Sequence, residues 1–438
     1  MNRATKQWII EGLLILLYFN VLVFFFLPLY LRIYAYMFDS AYRFSVYRYL
    51  FSLAIVSVST FILLDQEEHY DSVYLFGIRL VFLLSFIPMI AFFCCGSRLA
   101  ISLIVEPLLF ECILLACLKH YSITSSKKKR LSIKISAVNN VNLVVLIACG
   151  FVSFITWGLA GFPFVLSLKG SFEQRIALRE NALPTIISYL YTMSGGALLP
   201  YLFTWFLIKK QYVRMFLCFV FGLFLFFVNG MKTWLLLYFL AIVLVLVEKK
   251  TKDRFYLFIT IEVGMISITI LSVLAWRRLG MLDFLNQTGR VIIIPNSIGF
   301  KYIDFFRSNE LLYLRESILR VLFKSPYPGG SDFYINYGVD RTITSGRANN
   351  GLFGDAYRNF GILGVLIYPV FTAKVVNIIE RNCIYKGSAI RYYLILILVW
   401  GAINNSFFTW LLTGGVIALY ILLKVDRGNI ECKEPISD

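Results

Sequence analysis

Arginine, more than any other residue, marks where this chain could do chemistry. The stretch 276–350 carries Arg277, Arg278, Arg290, Arg307, Arg315, Arg320, Arg341 and Arg347, against only Lys301 and Lys324. A guanidinium is always charged, and its planar fork grips a phosphate or carboxylate through two hydrogen bonds. Several such forks near a membrane surface would suit a lipid-linked pyrophosphate, whose charge stays at headgroup level. If that pyrophosphate is a leaving group, the same arginines stabilise the charge developing on it. The competing reading is structural: individual arginines snorkel, or pair with Asp283, Asp304, Glu310, Glu316, Asp332 and Asp340.

A reaction that removes a proton from a sugar hydroxyl also needs a base. Both histidines, His69 and His120, fall in connections expected to be cytoplasmic, so an outer-face base must be a carboxylate or a substrate phosphate. Asp355 is the first candidate, at the start of a late span, with Asp332 and Asp340 in the preceding loop as the others. The structural alternative for Asp355 is a first-turn carboxylate facing the helix dipole. Glu106, expected near the middle of a span, Glu111 and Glu262 are intramembrane carboxylates. Such groups raise proton coupling in a transporter as well as simple packing of the bundle.

The elements that must position these residues are membrane helices. Hydrophobic residues make up 59% of the chain and aromatic residues 17%, with a mean hydropathy of +0.76, too little polar surface for a soluble domain of this length. About twelve apolar runs are long enough to span hydrocarbon as helices. They lie near 8–31, 47–64, 73–95, 98–118, 139–160, 186–208, 213–229, 231–247, 255–275, 352–373, 391–404 and 407–423, and two pairs must turn at Asn229-Gly230 and Asn404-Asn405. The fold expected is all-α and polytopic, without the alternation of a transmembrane barrel.

Charge orients it. The lysine-rich connections around Lys127-Lys128-Lys129-Arg130, Lys209, Lys249-Lys250 and Lys374 all fall on the cytoplasmic side if the amino terminus does. The net charge of +17 is therefore a topology signal and gives no reason to expect nucleic acid as a partner. The resulting plan is spans one to nine over 1–275, with a middle outer loop at 161–184. A large extracytoplasmic loop follows at 276–351, then spans ten to twelve over 352–424 and a cytoplasmic tail at 425–438. Within the large loop, 304–323 has helical periodicity, which predicts an amphipathic helix on the outer membrane surface. The eight cysteines show no metal-ligand spacing, and neither a metal nor a cofactor is expected.

The run Arg347-Ala348-Asn349-Asn350-Gly351-Leu352-Phe353-Gly354-Asp355-Ala356-Tyr357-Arg358-Asn359-Phe360-Gly361-Ile362-Leu363-Gly364 resembles a stretch of the bacterial oligosaccharide repeat-unit polymerases, the O-antigen and capsule polymerases. In that family a G-D-A-Y-x-N-F-G-x-x-G run follows the large outer loop and opens a late span. The local match covers 347–364, and the plan of spans and loops is similar throughout. An Arg-x10-Gly spacing described in some members occurs at Arg278 and Gly289, whereas the middle-loop Arg175 and Arg179 lack it.

The resemblance implies a GT-C-like, inverting, metal-independent glycosyltransferase in the cytoplasmic (inner) membrane, its site facing outward. Its donor and acceptor would be undecaprenyl-pyrophosphate-linked oligosaccharides, and a chain-length regulator protein would be a further partner. Arg277, Arg278, Arg290, Arg341 and Arg347 would hold pyrophosphate opposite Arg175 and Arg179. Asn349, Asn350 and Tyr357 would contact the glycan. Asp355, Asp332 or Asp340 would activate the acceptor hydroxyl. Other classes stay open: a lipid-linked-sugar flippase or other transporter, a ligase sharing the architecture but lacking an outer histidine, and a scaffold without chemistry.

Overall fold

The structure is a computed structural model that describes residues 3–38, 42–64, 72–96, 101–125, 141–164, 170, 174, 178, 183–251, 254–337, 351–383 and 389–431. Among these residues there is no strand, and nine helices are long and apolar enough to cross a membrane. They are α1 (Lys6–Tyr34), α2 (Val46–Leu64), α3 (Val73–Cys95), α5 (Val141–Leu159), α6 (Thr185–Ile208), α7 (Tyr212–Asn229), α9 (Phe255–Leu279), α13 (Leu352–Asn382) and α15 (Phe407–Asp426). Three more of the expected apolar runs are also helical. These are α4 (Val105–Ser125) and α8 (Lys232–Thr251), which carry more charge, and α14 (Ala389–Asn404), which is shorter. The described residues are thus almost wholly helical, in the manner of an all-α multi-pass membrane protein.

It divides into two compact units, one formed by residues 1–124, 253–374 and 402–407, the other by 125–252, 375–401 and 408–438. In the second unit α6 packs on α7 and α8, and α7 on α5. Gly230, in the left-handed region at φ 64°, ends α7 and allows the turn expected at Asn229-Gly230. The chain also breaks after Asn404, the other expected turn. The last helical stretch, Val416–Glu431, runs past position 425, so the boundary expected there for the tail falls inside a helix.

The first unit holds the candidate site. Its centre is α3, buried on every side, which is why its sequence is apolar all round. Arg79 near the start of α3 is buried between Glu11 of α1 and Glu262 of α9, 3.1 Å from the latter, and its guanidinium lies over the Phe258 ring. All three charges sit within the first turns of their helices. Hence α1, α3 and α9 start at one level.

The polar stretch after α9 is helical at its start and packs back on the neighbouring helices. Gly280, at φ 66°, reverses the chain, and α10 (Leu282–Ile292) returns along α9. The helix breaks at Ile293, and α11 (Ile294–Phe306), with Pro295 in its first turn, runs back the other way. The two helices form a hairpin packed against α1, α3 and α9. Its Gly289 backbone lies against the Tyr30 ring of α1, and Phe300 stacks on Phe92 and Phe93 of α3. A widened turn at Phe82–Phe86 in the middle of α3 presents the Leu84 carbonyl, which accepts from Asn296 Nδ2 at 3.1 Å.

The amphipathic helix expected over 304–323 is absent: α11 ends at Phe306, and only a 3-10 turn, Ile318–Val321, follows. The reason lies in α13. Gly361 takes φ 56°, ψ −135°, and breaks the helix, so the carbonyls of Arg358 and Asn359 lose their usual partners one turn later. The N–H groups of Leu312 and Tyr313 donate to those carbonyls at 2.8 and 3.2 Å, and Leu314 N–H donates to Asn359 Oδ1 at 2.8 Å. Tyr313 and Leu314 adopt positive φ to make this docking, which no helix permits. Tertiary hydrogen bonding overrides the local periodicity. A short helix, α12 (Ser331–Tyr337), completes the described part of this region.

Candidate functional site

The best-formed polar centre is where the insert meets the start of α13. Arg358, 5% exposed, faces three carboxylates. It donates to Asp355 Oδ1 through Nε and Nη2 at 3.0 and 2.9 Å, to Asp332 Oδ1 through Nη1 at 3.0 Å, and lies 3.6 Å from Glu316 Oε2. Glu316 is held in turn by Ser325 Oγ, Ser331 Oγ and Ser331 N–H at 2.6–2.7 Å. Tyr302 of α11 donates to Asp332 at 2.9 Å. Burial first, then the Asp332 carboxylate, keeps that phenol well above its usual pKa, so it serves as a donor.

Asp355 is fully buried. Its Oδ1 accepts from Arg358 and Asn359, and its Oδ2 accepts from the Phe407 N–H at 2.9 Å. A buried carboxylate whose two oxygens already accept from a guanidinium, an amide and a backbone N–H has its acceptor sites engaged by the protein and is closed to a substrate hydroxyl. This geometry makes Asp355 the pin that ties the α13 start to Phe407 and, through Arg358, to the insert. Asp332 differs. Its side chain is 22% exposed, which makes it the carboxylate of this network most open to solvent.

The described arginines of the insert play different parts. Arg307 and Arg315 are committed to structure. Arg307 caps α11, donates to Glu106 at 2.6 Å and to Ser102, and lies beside Tyr357. Arg315 pairs with Glu310. Glu106 is therefore at the first turn of α4 and anchors the insert, which corrects its expected place in the middle of a span. Tyr357, expected to contact glycan, is buried beside Arg307.

Arg277 and Arg278 stand exposed at the end of α9, Arg277 over the Phe25 ring. Arg290 lies on α10, about 12 Å along the hairpin from its first residue at 1.5 Å per residue. It shares a stripe with Asp283, Asn286 and Gln287, at the i, i+3, i+4, i+7 positions of one helix face, none of which is buried. Leu285, Thr288, Gly289 and Ile292 form the packed face opposite. A polar stripe left unburied on a helix packed into an apolar bundle is open to water or a polar ligand.

Asp340, Arg341, Arg347, Asn349, Asn350, Arg175 and Arg179 lie outside the described residues. The residues that sequence reasoning missed are Tyr302, Glu316, Ser331 and Arg358, together with Asn296 at the hairpin tip. Three of these left a trace: Arg358 stands inside the quoted motif, Glu316 stands among the carboxylates expected to pair with arginine, and Pro295-Asn296 interrupts an apolar run. Among the described residues no cluster of His, Cys, Asp or Glu is arranged to hold a metal ion. Comparison of the chain with protein-family models, curated proteins and solved structures returned no match.

Proposed function

We propose that this protein is a glycosyltransferase that polymerises undecaprenyl-pyrophosphate-linked oligosaccharide repeat units at the outer face of the cytoplasmic membrane. The observation that carries the reading is the hairpin with its unburied stripe of Asp283, Asn286, Gln287 and Arg290, beneath Arg277 and Arg278. A lipid carrier keeps its isoprenoid in hydrocarbon and its pyrophosphate at the headgroup level, where an arginine on this hairpin can meet it. The arginines neutralise the pyrophosphate as it departs, and that stabilisation grows as the glycosidic bond breaks. Asp332, oriented by Tyr302 and Arg358, is assigned to the acceptor hydroxyl, and Asp355 to holding the α13 end of the site.

Deleting the gene in its host and resolving the surface glycan on a gel tests the reaction. Loss of the long ladder with single repeat units still at the surface supports a polymerase, and complementation with Arg290→Ala should leave the ladder short or absent. A full ladder from the deletion strain ends the proposal. A second reading, a flippase or other transporter, draws on the same hairpin and on the buried Glu11–Arg79–Glu262 group, both common furniture of transport pathways. It would show as lipid-linked units accumulating inside, with none at the surface.

A further inference from the structure

At the tip of the hairpin the hydrogen-bond count does not close without one more proton. Glu111 of α4 is 5% exposed, and its Oε1 meets Ser85 Oγ of α3 while its Oε2 is buried without a partner. The same Ser85 oxygen lies 2.9 Å from Asn296 Oδ1. Both amide protons of Asn296 are committed, to the carbonyls of Leu84 at 3.1 Å and Ile292 at 2.9 Å, which also fixes which end of the amide is oxygen. The acceptors facing one another are thus two carboxyl oxygens and one amide oxygen, and the only donor left is the single Ser85 hydroxyl.

A proton on Glu111 resolves the count. Glu111 then donates to Ser85 Oγ, Ser85 donates to Asn296 Oδ1, and Asn296 donates to the two carbonyls, so that every donor in the chain has an acceptor. An ionised Glu111 would instead turn the Ser85 hydroxyl toward itself. Asn296 Oδ1 would then lack a donor, and a buried charge would keep one hydrogen bond and no cation. The groups that act on the carboxyl are Ser85 from α3 and the surrounding burial, while Asn296 from α11 and Cys112 beside it on α4 are neutral. The nearest acid on the same helix, Glu106, is occupied by Arg307.

We infer that Glu111 is an intramembrane proton-binding site whose proton latches the tip of the hairpin onto α3. The inference is independent of the chemistry assigned to the outer arginines. Releasing the proton frees Asn296 from Ser85 and loosens the helix pair on which Arg290 stands, so raising the pH weakens the latch and lowering it closes the latch.

Infrared spectroscopy on the full-length protein in lipid reads the proton directly. Wild type at neutral pH should show a protonated-carboxyl band that Glu111→Gln removes. Amide exchange over 285–300 reads the latch, with the two proteins compared at equal pH so that intrinsic exchange cancels. From about pH 6 to about pH 9, wild type should lose protection about tenfold relative to Glu111→Gln, whose amide donates at every pH. Ser85→Ala, which breaks the relay without adding or removing charge, should loosen the hairpin at all pH values. Absence of the carboxyl band at every pH overturns the inference, as does exchange in wild type and Glu111→Gln that stays parallel throughout.

Discussion

Replacing Asp355 with Asn separates a structural pin from a catalytic base, because the two roles predict opposite readouts. The wild-type carboxylate accepts from Arg358 and Asn359 on Oδ1 and from Phe407 N–H on Oδ2. An amide supplies one acceptor oxygen. Whichever way it turns, its NH2 group faces a donor, either the Phe407 N–H or the guanidinium, and one buried donor is left unmatched at about 1–3 kcal/mol. The charge-assisted bonds to Arg358 weaken as well. Arg358 still has Asp332 at 3.0 Å and Glu316 at 3.6 Å, so it is not orphaned, and the loss stays below the cost of breaking an isolated buried pair. The sum is about 2–4 kcal/mol. The assay pairs thermal unfolding of the purified protein in lipid with limited proteolysis of 307–330 and the glycan ladder from complemented cells. The expected result is a lowered melting temperature, faster cleavage in the docked segment, and polymer lost only in proportion to folded protein. A base would behave otherwise, with wild-type stability and turnover down about a hundredfold or more. Native melting with no polymer would refute the structural assignment of Asp355.

Other expectations follow from the same physical arguments. Arg79→Leu leaves Glu11 and Glu262 buried without their cation and should cost about 3–5 kcal/mol. Adding Glu11→Leu and Glu262→Leu should recover most of it, measured by unfolding in lipid. Gly289→Leu drives a side chain into the Tyr30 ring and should cost about 1–3 kcal/mol, and Tyr30→Ala in the same chain should relieve it, as read by amide exchange over 282–306. Arg347→Ala should shorten or abolish polymer without preventing membrane insertion, and full-length product from that variant removes Arg347 from the site.

What could be read from the sequence is the part governed by hydrocarbon. A run of apolar residues must close its backbone hydrogen bonds internally, so the described parts of the predicted segments are helical, the last interrupted at 412–415, and the turns at Asn229-Gly230 and after Asn404 stand where short-range chemistry puts them. The motif 351–361 was legible as a feature, and so was the arginine bias of the insert. What those residues do was decided in three dimensions. Periodicity favoured a helix over 304–323, but the carbonyls that Gly361 strips from α13 captured Leu312 and Tyr313 instead, and no local pattern encodes that partner. The polar stretch after α9 gave no sign that it folds back into the bundle, because its anchors, Tyr30, Leu84 and Ser85, lie some two hundred residues or more earlier in the chain. Asp355 had the position of a base, and Arg358, Asn359 and the Phe407 N–H gave it the environment of a buried counter-ion. Residue type sets the charge a group can carry, whereas its solvation and partners, which decide whether that charge is used for chemistry or for structure, exist only once distant segments have been brought together.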